Sequence, residues 1–313
     1  MAKTELTIIL PGLAAILEQK INSSIIPTYL TKIISKSKFR QDSSGLSRLL
    51  FNHFSANPIT GSDLPIVSLE FEGDSYLRAD PCYLHADRDR LLLFSDMMDL
   101  TNDESSALIA EIQPLFTDFD GILSQSSTDG WLLQLNNMPE VTFSALPEVS
   151  GKGVESYLPK GRERQDWIRL WSEVQMAMYA SEVNQRRIEN NKLPINSVWF
   201  WGAGEFEFKE SPWKKIQGES TLLKQLAAKS EIPLQSDSDF STETLSAGRY
   251  LWLADEINID DDWLKQMQAF DDAVLRPLWQ YCRQAKIAKI ELQIPNHGCY
   301  QLTPLDCWKF WKS

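Results

Sequence analysis

Short apolar runs that end at turn residues recur along the chain and predict buried strands. The first, LTIIL at residues 6–10, stops at a Pro-Gly pair, which is typical of a buried strand that leads into a turn. In PINSVWFWGAGE, at residues 194–205, three consecutive aromatic residues stand directly before a Gly-x-Gly. Such an uninterrupted run is expected of a strand buried on both faces. Further strands are predicted at residues 65–73, 130–136, 249–256 and 289–298, and within residues 76–94 we expect a turn at Asp80-Pro81 and a strand that ends at Phe94.

Apolar residues at helical spacing predict amphipathic helices between these strands. The strongest pattern lies at residues 166–182, where one face carries Trp167, Leu170, Trp171, Val174 and Met178. Other helices are predicted at residues 13–21, 43–54, 102–116, 221–230 and 260–285, the last with a bend at Pro277. Because strands and helices alternate in the second half of the chain, we expect an α/β fold with a mostly parallel sheet and helices on both faces.

The domain organisation is predicted to be a single α/β unit over residues 1–313. A substructure is also compatible with the sequence, with an N-terminal part at residues 1–145 and a C-terminal part at residues 165–313. The segment between them, residues 146–164, contains three glycines and two prolines, a composition typical of a linker.

Composition and charge exclude several classes of function. The net charge of -12 and the pI near 4.8 argue against nucleic-acid binding, because phosphate backbones need a basic face. No segment approaches the ~20 apolar residues that span a membrane, and the first residues lack the pattern of a signal peptide. The four cysteines match no zinc-binding spacing and are expected to be free thiols in a reducing compartment. We therefore expect a cytoplasmic protein that binds neither nucleic acid nor membranes.

The candidate binding chemistry lies in two stretches. Residues 78–90 bring Arg78, His85 and Arg88 together with several aspartates. This mixture can bind an anion through bidentate arginines, or it can form a mutually neutralising ion-pair network, and both interpretations stay open. Gly202 and Gly204 lack the third glycine of a dinucleotide-binding fingerprint. If the strand before them is parallel to its neighbours, their turn lies at the carboxyl edge of the sheet, where open α/β folds bind ligands.

Several segments resemble known families. Residues 181–204 resemble archaeal-type cofactor-independent phosphoglycerate mutases, and the matching positions are Asn184, Arg187, Pro194, Asn196, Gly202 and Gly204. Residues 261–298 resemble the closing unit of the same alkaline-phosphatase-like superfamily. Over nearly the whole chain, ADPCYLHADRDRLLLF, PINSVWFWGAGE and DCWKFWK resemble a bacterial family of RpfE-type regulatory proteins, often labelled phosphoglycerate-mutase-like. The resemblance implies an alkaline-phosphatase-like core.

The same resemblance implies that this core is degenerate. Active members of the superfamily bind two divalent metals, and their first strand ends in an aspartate that ligates metal, whereas residues 10–12 here are Leu-Pro-Gly. Their late Asp-His-Gly is replaced by Asn296-His297-Gly298, and a neutral amide is a poorer ligand than a carboxylate. The chain has only three histidines. We therefore expect no bound metal, no cofactor and no assignable catalytic residue.

Two readings of the function stay open. The main hypothesis is a catalytically degenerate phosphoglycerate-mutase-like protein that acts as a regulatory or scaffolding protein with a protein partner and binds a small phosphorylated or acidic ligand. The alternative is a metal-dependent phosphotransferase or phosphoglycerate mutase with rearranged ligands. The candidate ligand-binding residues are Arg78, His85, Arg88, Asn184, Arg187, Asn196, Gly202, Gly204 and His297.

Overall fold

The structure is a computed structural model that describes residues 3–18, 27–71, 75–96, 98–126, 130–235, 245–258 and 262–309. The strands are β1 (Thr4–Ile9), β2 (Lys38–Gln41), β3 (Tyr76–Asp87), β4 (Arg90–Phe94), β5 (Ile122–Gln125), β6 (Trp131–Gln134), β7 (Val141–Thr142), β8 (Lys160–Gly161), β9 (Ser197–Trp201), β10 (Trp213–Gln217), β11 (Leu234–Gln235), β12 (Gly248–Leu253), β13 (Lys289–Ile294) and β14 (Gly298–Leu302). The helices are α1 (Leu13–Glu18), α2 (Thr28–Lys36), α3 (Leu46–Phe54), α4 (Asn102–Ile112), α5 (Leu146–Val149), α6 (Arg164–Tyr179), α7 (Glu182–Glu189), α8 (Thr221–Lys229), α9 (Trp263–Phe270) and α10 (Arg276–Arg283).

The chain divides into two compact units. The first comprises Met1–Pro58 and Phe208–Ser313, and the second comprises Ile59–Glu207. The second unit is therefore inserted in sequence between the two segments of the first. Residues 146–164, the segment rich in glycine and proline, lie inside the second unit and contain α5 and β8.

The first unit contains a mostly parallel sheet, as the sequence predicted. Within the described residues the strand order is β11-β10-β12-β1-β13-β14-β2. The pairings from β11 to β13 are parallel, and only β14 and β2 run antiparallel to their neighbours. The α/β class is therefore confirmed, and the central position of β1 agrees with its buried apolar sequence.

Helices cover both faces of this sheet. Successive strand residues point to opposite faces. On one face Leu6, Ile8 and Leu292 belong to a core cluster that includes residues of α1, α2, α9 and α10. On the other face, His53 of α3 forms a hydrogen bond of 2.8 Å with Gln293, which follows Leu292 in β13. The sheet is therefore buried on both sides, which explains its continuous apolar strands.

The long helix predicted over residues 260–285 is interrupted. A π-helical turn, Asp271–Leu275, separates α9 from α10 directly before Pro277. The Asp271 carboxylate accepts hydrogen bonds from the Tyr29 and Leu30 N–H groups, at 3.0 and 2.7 Å. Asp271 therefore caps the first turn of α2, because these N–H groups have no partner inside the helix.

The second unit contains an antiparallel sheet, and this corrects one expectation. β3 pairs antiparallel with β4, β6 and β9, and β5 pairs antiparallel with β6. All five residues of β9 are buried, as predicted, but the strand is not parallel to its neighbour. A continuous apolar run shows burial on both faces and does not reveal strand direction.

Two further predictions are wrong. Asp80-Pro81 does not form a turn, because β3 continues from Tyr76 to Asp87 and the turn follows at Arg88. Residues 65–73 were predicted as a strand, but the described part contains the 3-10 turn Val67–Leu69. By contrast, the apolar face of α6 is confirmed, since Trp167, Leu170, Trp171, Val174 and Met178 are all buried.

No helix among the described residues combines the length and the apolar character that crossing a membrane requires.

Candidate functional site

The turn after β9 binds a carboxylate of the protein itself. Gly202 and Gly204 have φ of 90° and 109°, the left-handed region that favours glycine. The Gly202 N–H group lies 2.9 Å from each oxygen of Asp63, and the Ala203 N–H group lies 3.1 Å from Oδ2. Successive N–H groups in such a turn form an anion-binding concavity. The anion that this turn holds in the structure is Asp63, which the sequence analysis did not single out.

Asp63 is held from three sides. The Leu64 N–H group donates to Oδ1 at 2.8 Å, in addition to the two donors of the glycine turn. Burial raises the pKa of Asp63 to about 6, although these N–H groups oppose the shift. A Cβ at Gly202 would lie 2.7 Å from Cγ2 of Ile66, so the turn is closely packed as well as hydrogen-bonded.

Arg78 belongs to a buried ion-pair network. Its guanidinium lies 3.0 Å from the Asp80 carboxylate and 3.4 Å from the Glu70 carboxylate, and all three side chains are buried. Asp80 also accepts hydrogen bonds from Trp201 Nε1 at 2.7 Å and from the Trp131 N–H group at 3.2 Å. Burial raises the pKa of Asp80, although Arg78 and these donors oppose the shift. Of the two interpretations left open for Arg78, the geometry favours the ion-pair network.

A polar cleft of about 650 Å³ lies beside this network in the second unit. Arg78 and Asp80 form part of its lining, together with Asp96, Asp99 and Asn102. The arginine faces the cleft already neutralised by Asp80 and Glu70. The described lining therefore offers more carboxylates than free positive charge, which disfavours an anionic ligand at this place.

Asn184 and Arg187 on α7 form hydrogen bonds with backbone groups of neighbouring segments. Asn184 donates to the carbonyl oxygens of Met178 and Ile195, at 2.8 and 2.7 Å, and accepts from the Ile195 N–H group at 2.7 Å. Arg187 is only 1% exposed. Its guanidinium donates to backbone carbonyl oxygens of Met98, Asp99 and Leu193, and to the Glu104 carboxylate. These are bonds that fix loops around α7, and no face of Arg187 is open to a ligand.

The other predicted residues are spread over the molecule. Asn196 exchanges two hydrogen bonds with the backbone of Leu84, at 2.7 and 2.9 Å, and so extends the pairing of β9 with β3 by a side chain. His85 is exposed and lies 3.2 Å from the Tyr83 hydroxyl. Arg88 is exposed in the turn between β3 and β4, with φ of 55°. The structure therefore does not bring the nine candidates into one site.

His297 belongs to the first unit, in the turn between β13 and β14. Its Nε2 lies 3.0 Å from the Tyr300 hydroxyl, and its ring stacks on that of Tyr300. The preceding Asn296 is exposed, has φ of 61°, and donates its N–H group to the Ser44 carbonyl oxygen. The described side-chain contacts of His297 are with aromatic side chains. Such contacts are typical of a packed histidine and not of a metal ligand.

The end of β1 offers no carboxylate side chain. After β1 the chain continues with the buried Leu10 and Pro11. The Ile257 N–H group donates to the Pro11 carbonyl oxygen at 3.1 Å, and a Cβ at Gly12 would collide with the Ile257 carbonyl oxygen. The Ile257 backbone therefore leaves no space for a side chain at residue 12. In the part of the chain that the structure describes, no three His, Cys, Asp or Glu side chains form a group that could hold a metal.

Comparison with known proteins gives a distant relation. Over 195 residues the chain is 25% identical to the 2,3-bisphosphoglycerate-independent phosphoglycerate mutase of Methanosarcina barkeri. The match covers 53% of this chain and 49% of the relative. The Methanosarcina mazei enzyme is 22% identical over 191 residues, 52% of this chain and 48% of the relative. The chain is distantly related to these mutases. It spans about half the length of the curated relatives that it matches.

Solved structures and family models add little to this relation. The cofactor-independent phosphoglycerate mutase of Thermoplasma acidophilum has a TM-score of 0.43 at 15% identity, over 97% of this chain and 90% of that chain. A Pyrococcus horikoshii protein has a TM-score of 0.48 at 12% identity, over 96% and 87%. Because both scores are low, the relation to the mutases rests on the sequence matches. No family model matches the chain, and the RpfE-type resemblance stays a prediction.

Proposed function

We propose that this protein is a phosphoglycerate-mutase-like chain that has lost two-metal catalysis and acts by binding, as a regulatory or scaffolding protein. The observation that carries the proposal is the end of β1. There the Ile257 N–H group donates to the Pro11 carbonyl oxygen, and the Ile257 backbone leaves no space for a side chain at residue 12. Phosphoryl transfer by this superfamily depends on metal charge to stabilise the transition state. Because Leu10-Pro11-Gly12 supplies no carboxylate at the end of β1, a metal ion there would lack a negatively charged ligand.

A second observation supports the proposal. Arg78, Arg187 and the Gly202 turn, which could have bound a phosphorylated substrate, are occupied by Asp80, by backbone carbonyl groups and by Asp63. In this chain, the positions that match the mutases therefore have structural partners. The proposal includes a cytoplasmic location, with which the free cysteines agree, and a protein partner.

An activity assay tests the proposal. The full-length chain would be incubated with 3-phosphoglycerate, and separately with p-nitrophenyl phosphate, in the presence of added Mg²⁺, Mn²⁺ or Zn²⁺. We expect no conversion above that of buffer with the same metal. Metal-dependent turnover that is removed by a chelator and restored by the metal would overturn the proposal and favour a mutase with rearranged ligands.

A further inference from the structure

A cavity of about 290 Å³ lies in the first unit beside β10, β11 and β12. The volume corresponds to roughly ten water molecules, which suits a small metabolite. Its polar lining includes Lys214, Lys215, Ser246 and Tyr250, and leucine side chains form an apolar wall. Among the described residues that line it there is no Asp or Glu. The described lining therefore carries two positive charges, those of Lys214 and Lys215.

A β-bulge contributes Lys214 to this cavity. In the pairing of β10 with β12, Trp213 lies opposite Arg249 and Lys215 lies opposite Tyr250, so Lys214 is an extra residue. In a regular strand, two successive side chains point to opposite faces. A bulge changes the direction of a side chain, and bulges are common beside binding sites. Both lysines consequently line the same cavity.

Gly248 allows the Lys214 side chain to reach its partners. A Cβ at Gly248 would lie 2.7 Å from Cδ of Lys214, and φ of 148° at this position also favours glycine. The Lys214 ammonium donates to Ser246 Oγ at 2.7 Å and to the Ala247 carbonyl oxygen at 3.2 Å. An ammonium group has three N–H donors. Its position is therefore fixed by these two bonds and by the neighbouring Tyr250 hydroxyl.

Tyr250 completes the polar group. Its hydroxyl accepts a hydrogen bond from the Ser246 N–H group at 3.1 Å and lies 3.3 Å from Ser246 Oγ. Burial raises the pKa of Tyr250, but the bonds with Ser246 and the charge of Lys214 outweigh this effect, so that the net shift is downward. The hydroxyl donates its own proton to the Ser246 carbonyl oxygen at 3.1 Å, so Tyr250 and Ser246 are joined by hydrogen bonds in both directions.

We propose that this cavity binds the oxyanion group of a small phosphorylated or carboxylated molecule, whose apolar part contacts the leucine wall. Lys214 and Lys215 supply the positive charge, and Ser246 and Tyr250 hold the Lys214 ammonium group in place. Within the part of the chain that the structure describes, neither lysine forms an ion pair that would neutralise it. The inference rests on the proposed function, because it names the ligand chemistry of a protein that acts by binding.

Binding of simple probes tests the cavity. Calorimetric titration of the full-length chain would use phenyl phosphate, benzoate and inorganic phosphate, with benzyl alcohol as a neutral control. We expect phenyl phosphate, benzoate or both to bind and benzyl alcohol not to bind. The pattern identifies the oxyanion: phenyl phosphate alone indicates a phosphate ester, and benzoate alone indicates a carboxylate.

Matched variants locate the binding. Lys214→Gln and Lys215→Gln should each weaken binding roughly tenfold or more, as expected for loss of a charge-assisted contact. Lys224→Gln, on the exposed face of α8 in the same unit, should leave affinity unchanged. Because Lys214 is exposed, the variants should fold, and circular dichroism verifies this.

The outcomes separate the cavity from the proposed function. Absence of binding by every probe, or binding that Lys214→Gln and Lys215→Gln leave unchanged, overturns the cavity proposal. If such a protein is also inactive with added metals, the proposed function still stands. If the protein shows metal-dependent turnover, the proposed function fails, whatever the cavity binds.

Discussion

The Gly202 N–H group donates to both oxygens of the Asp63 carboxylate, at 2.9 Å each. A Gly-x-Gly turn with this backbone conformation is suited to a phosphate, and here it holds an internal carboxylate instead. The contact joins the end of β9 to a residue 139 positions earlier in the chain. We infer that this turn contributes to the stability of the second unit and is not open to a ligand.

Removal of the Asp63 carboxylate should destabilise the second unit. In Asp63→Ala, the N–H groups of Gly202, Ala203 and Leu64 lose their acceptor, and buried donors without a partner cost free energy. We expect the free energy of unfolding at pH 7 to fall by about 2–4 kcal/mol, measured by denaturant titration. Asp118→Ala, at an exposed acid of the same unit, should change it by less than about 0.5 kcal/mol. Equal stability of the two variants would show that the turn does not depend on Asp63.

The stability should also depend on pH through Asp63. Its pKa is raised from 3.8 to about 6 in the folded protein, so between these values the folded state binds a proton that the unfolded state has released. The contribution to stability is fully present below about pH 4 and is lost as pH rises to about 6, by about 3 kcal/mol.

Comparison with Asp63→Asn isolates this titration. The asparagine has no charge to lose, so the difference in unfolding free energy between wild type and Asp63→Asn should be larger at pH 4 than at pH 7. Denaturant titrations at several pH values measure it. A difference that grows with rising pH would mean that the N–H groups outweigh burial and that the pKa is lowered.

Arg187 should be a structural residue. In Arg187→Ala, the carbonyl oxygens of Met98, Asp99 and Leu193 and the Glu104 carboxylate lose their donor. Loss of one partner from a buried charged network typically costs 3–5 kcal/mol. The neighbouring Arg186 is exposed, and Arg186→Ala serves as the control in thermal unfolding. If Arg187→Ala leaves the melting temperature unchanged but abolishes binding of phosphate esters, Arg187 is a ligand-binding residue after all.

The cysteines should differ in reactivity. Cys307 is half-buried, and the hydrogen bond from Cys282 lowers the pKa of its thiol. Burial raises the pKa of Cys82, which lies inside β3. Because the thiolate is the reactive form, alkylation under native conditions should modify Cys307 before the buried Cys82 and Cys282, as followed by mass spectrometry. Equal rates in denaturant provide the control, and rapid native labelling of Cys82 would contradict the buried position of β3.

Apolar periodicity predicted the long buried strands and most of the helices correctly, but it missed short strands such as β2 and β10. Buried strands such as β1 and β9 and the inner face of α6 are determined by local sequence, because an apolar run has to be covered. The direction in which a strand pairs does not depend on its local sequence, so the antiparallel direction of β9 could not be predicted.

The extended conformation at Pro81 could not be predicted from local sequence either. The N–H and C=O groups of Leu84 both bond to Asn196, on the β9 side of β3. The backbone groups of successive strand residues point to alternate sides, so the Pro81 nitrogen points away from β9.

On that side β3 pairs with β6 up to Arg78 and with β4 from Tyr83. Pro81 lies between these stretches, where its missing N–H group interrupts no pairing among the described strands. Local sequence predicts a turn at Asp-Pro, and only the neighbouring strands make an extended proline acceptable.

The candidate site was harder to predict than the fold. Arginine, asparagine and glycine were recognised as groups that can bind an anion, but their partners Asp63, Asp80 and the backbone carbonyls are distant in sequence. Two further stretches of the sequence, the serine-rich residues 236–244 and the aromatic Phe310 and Trp311, lie outside the described residues. Lys214 gave no sequence signal, because a bulge depends on the register of two strands.

Metal content of the purified full-length chain tests the central claim most directly. The protein would be equilibrated with Mn²⁺ and Zn²⁺, freed of unbound ions by gel filtration, and measured by elemental analysis against protein concentration. We expect no stoichiometric metal, because Leu10-Pro11-Gly12 supplies no carboxylate at the end of β1 and the described residues form no ligand cluster. Two ions retained per chain would contradict it and would place this protein with the metal-dependent mutases.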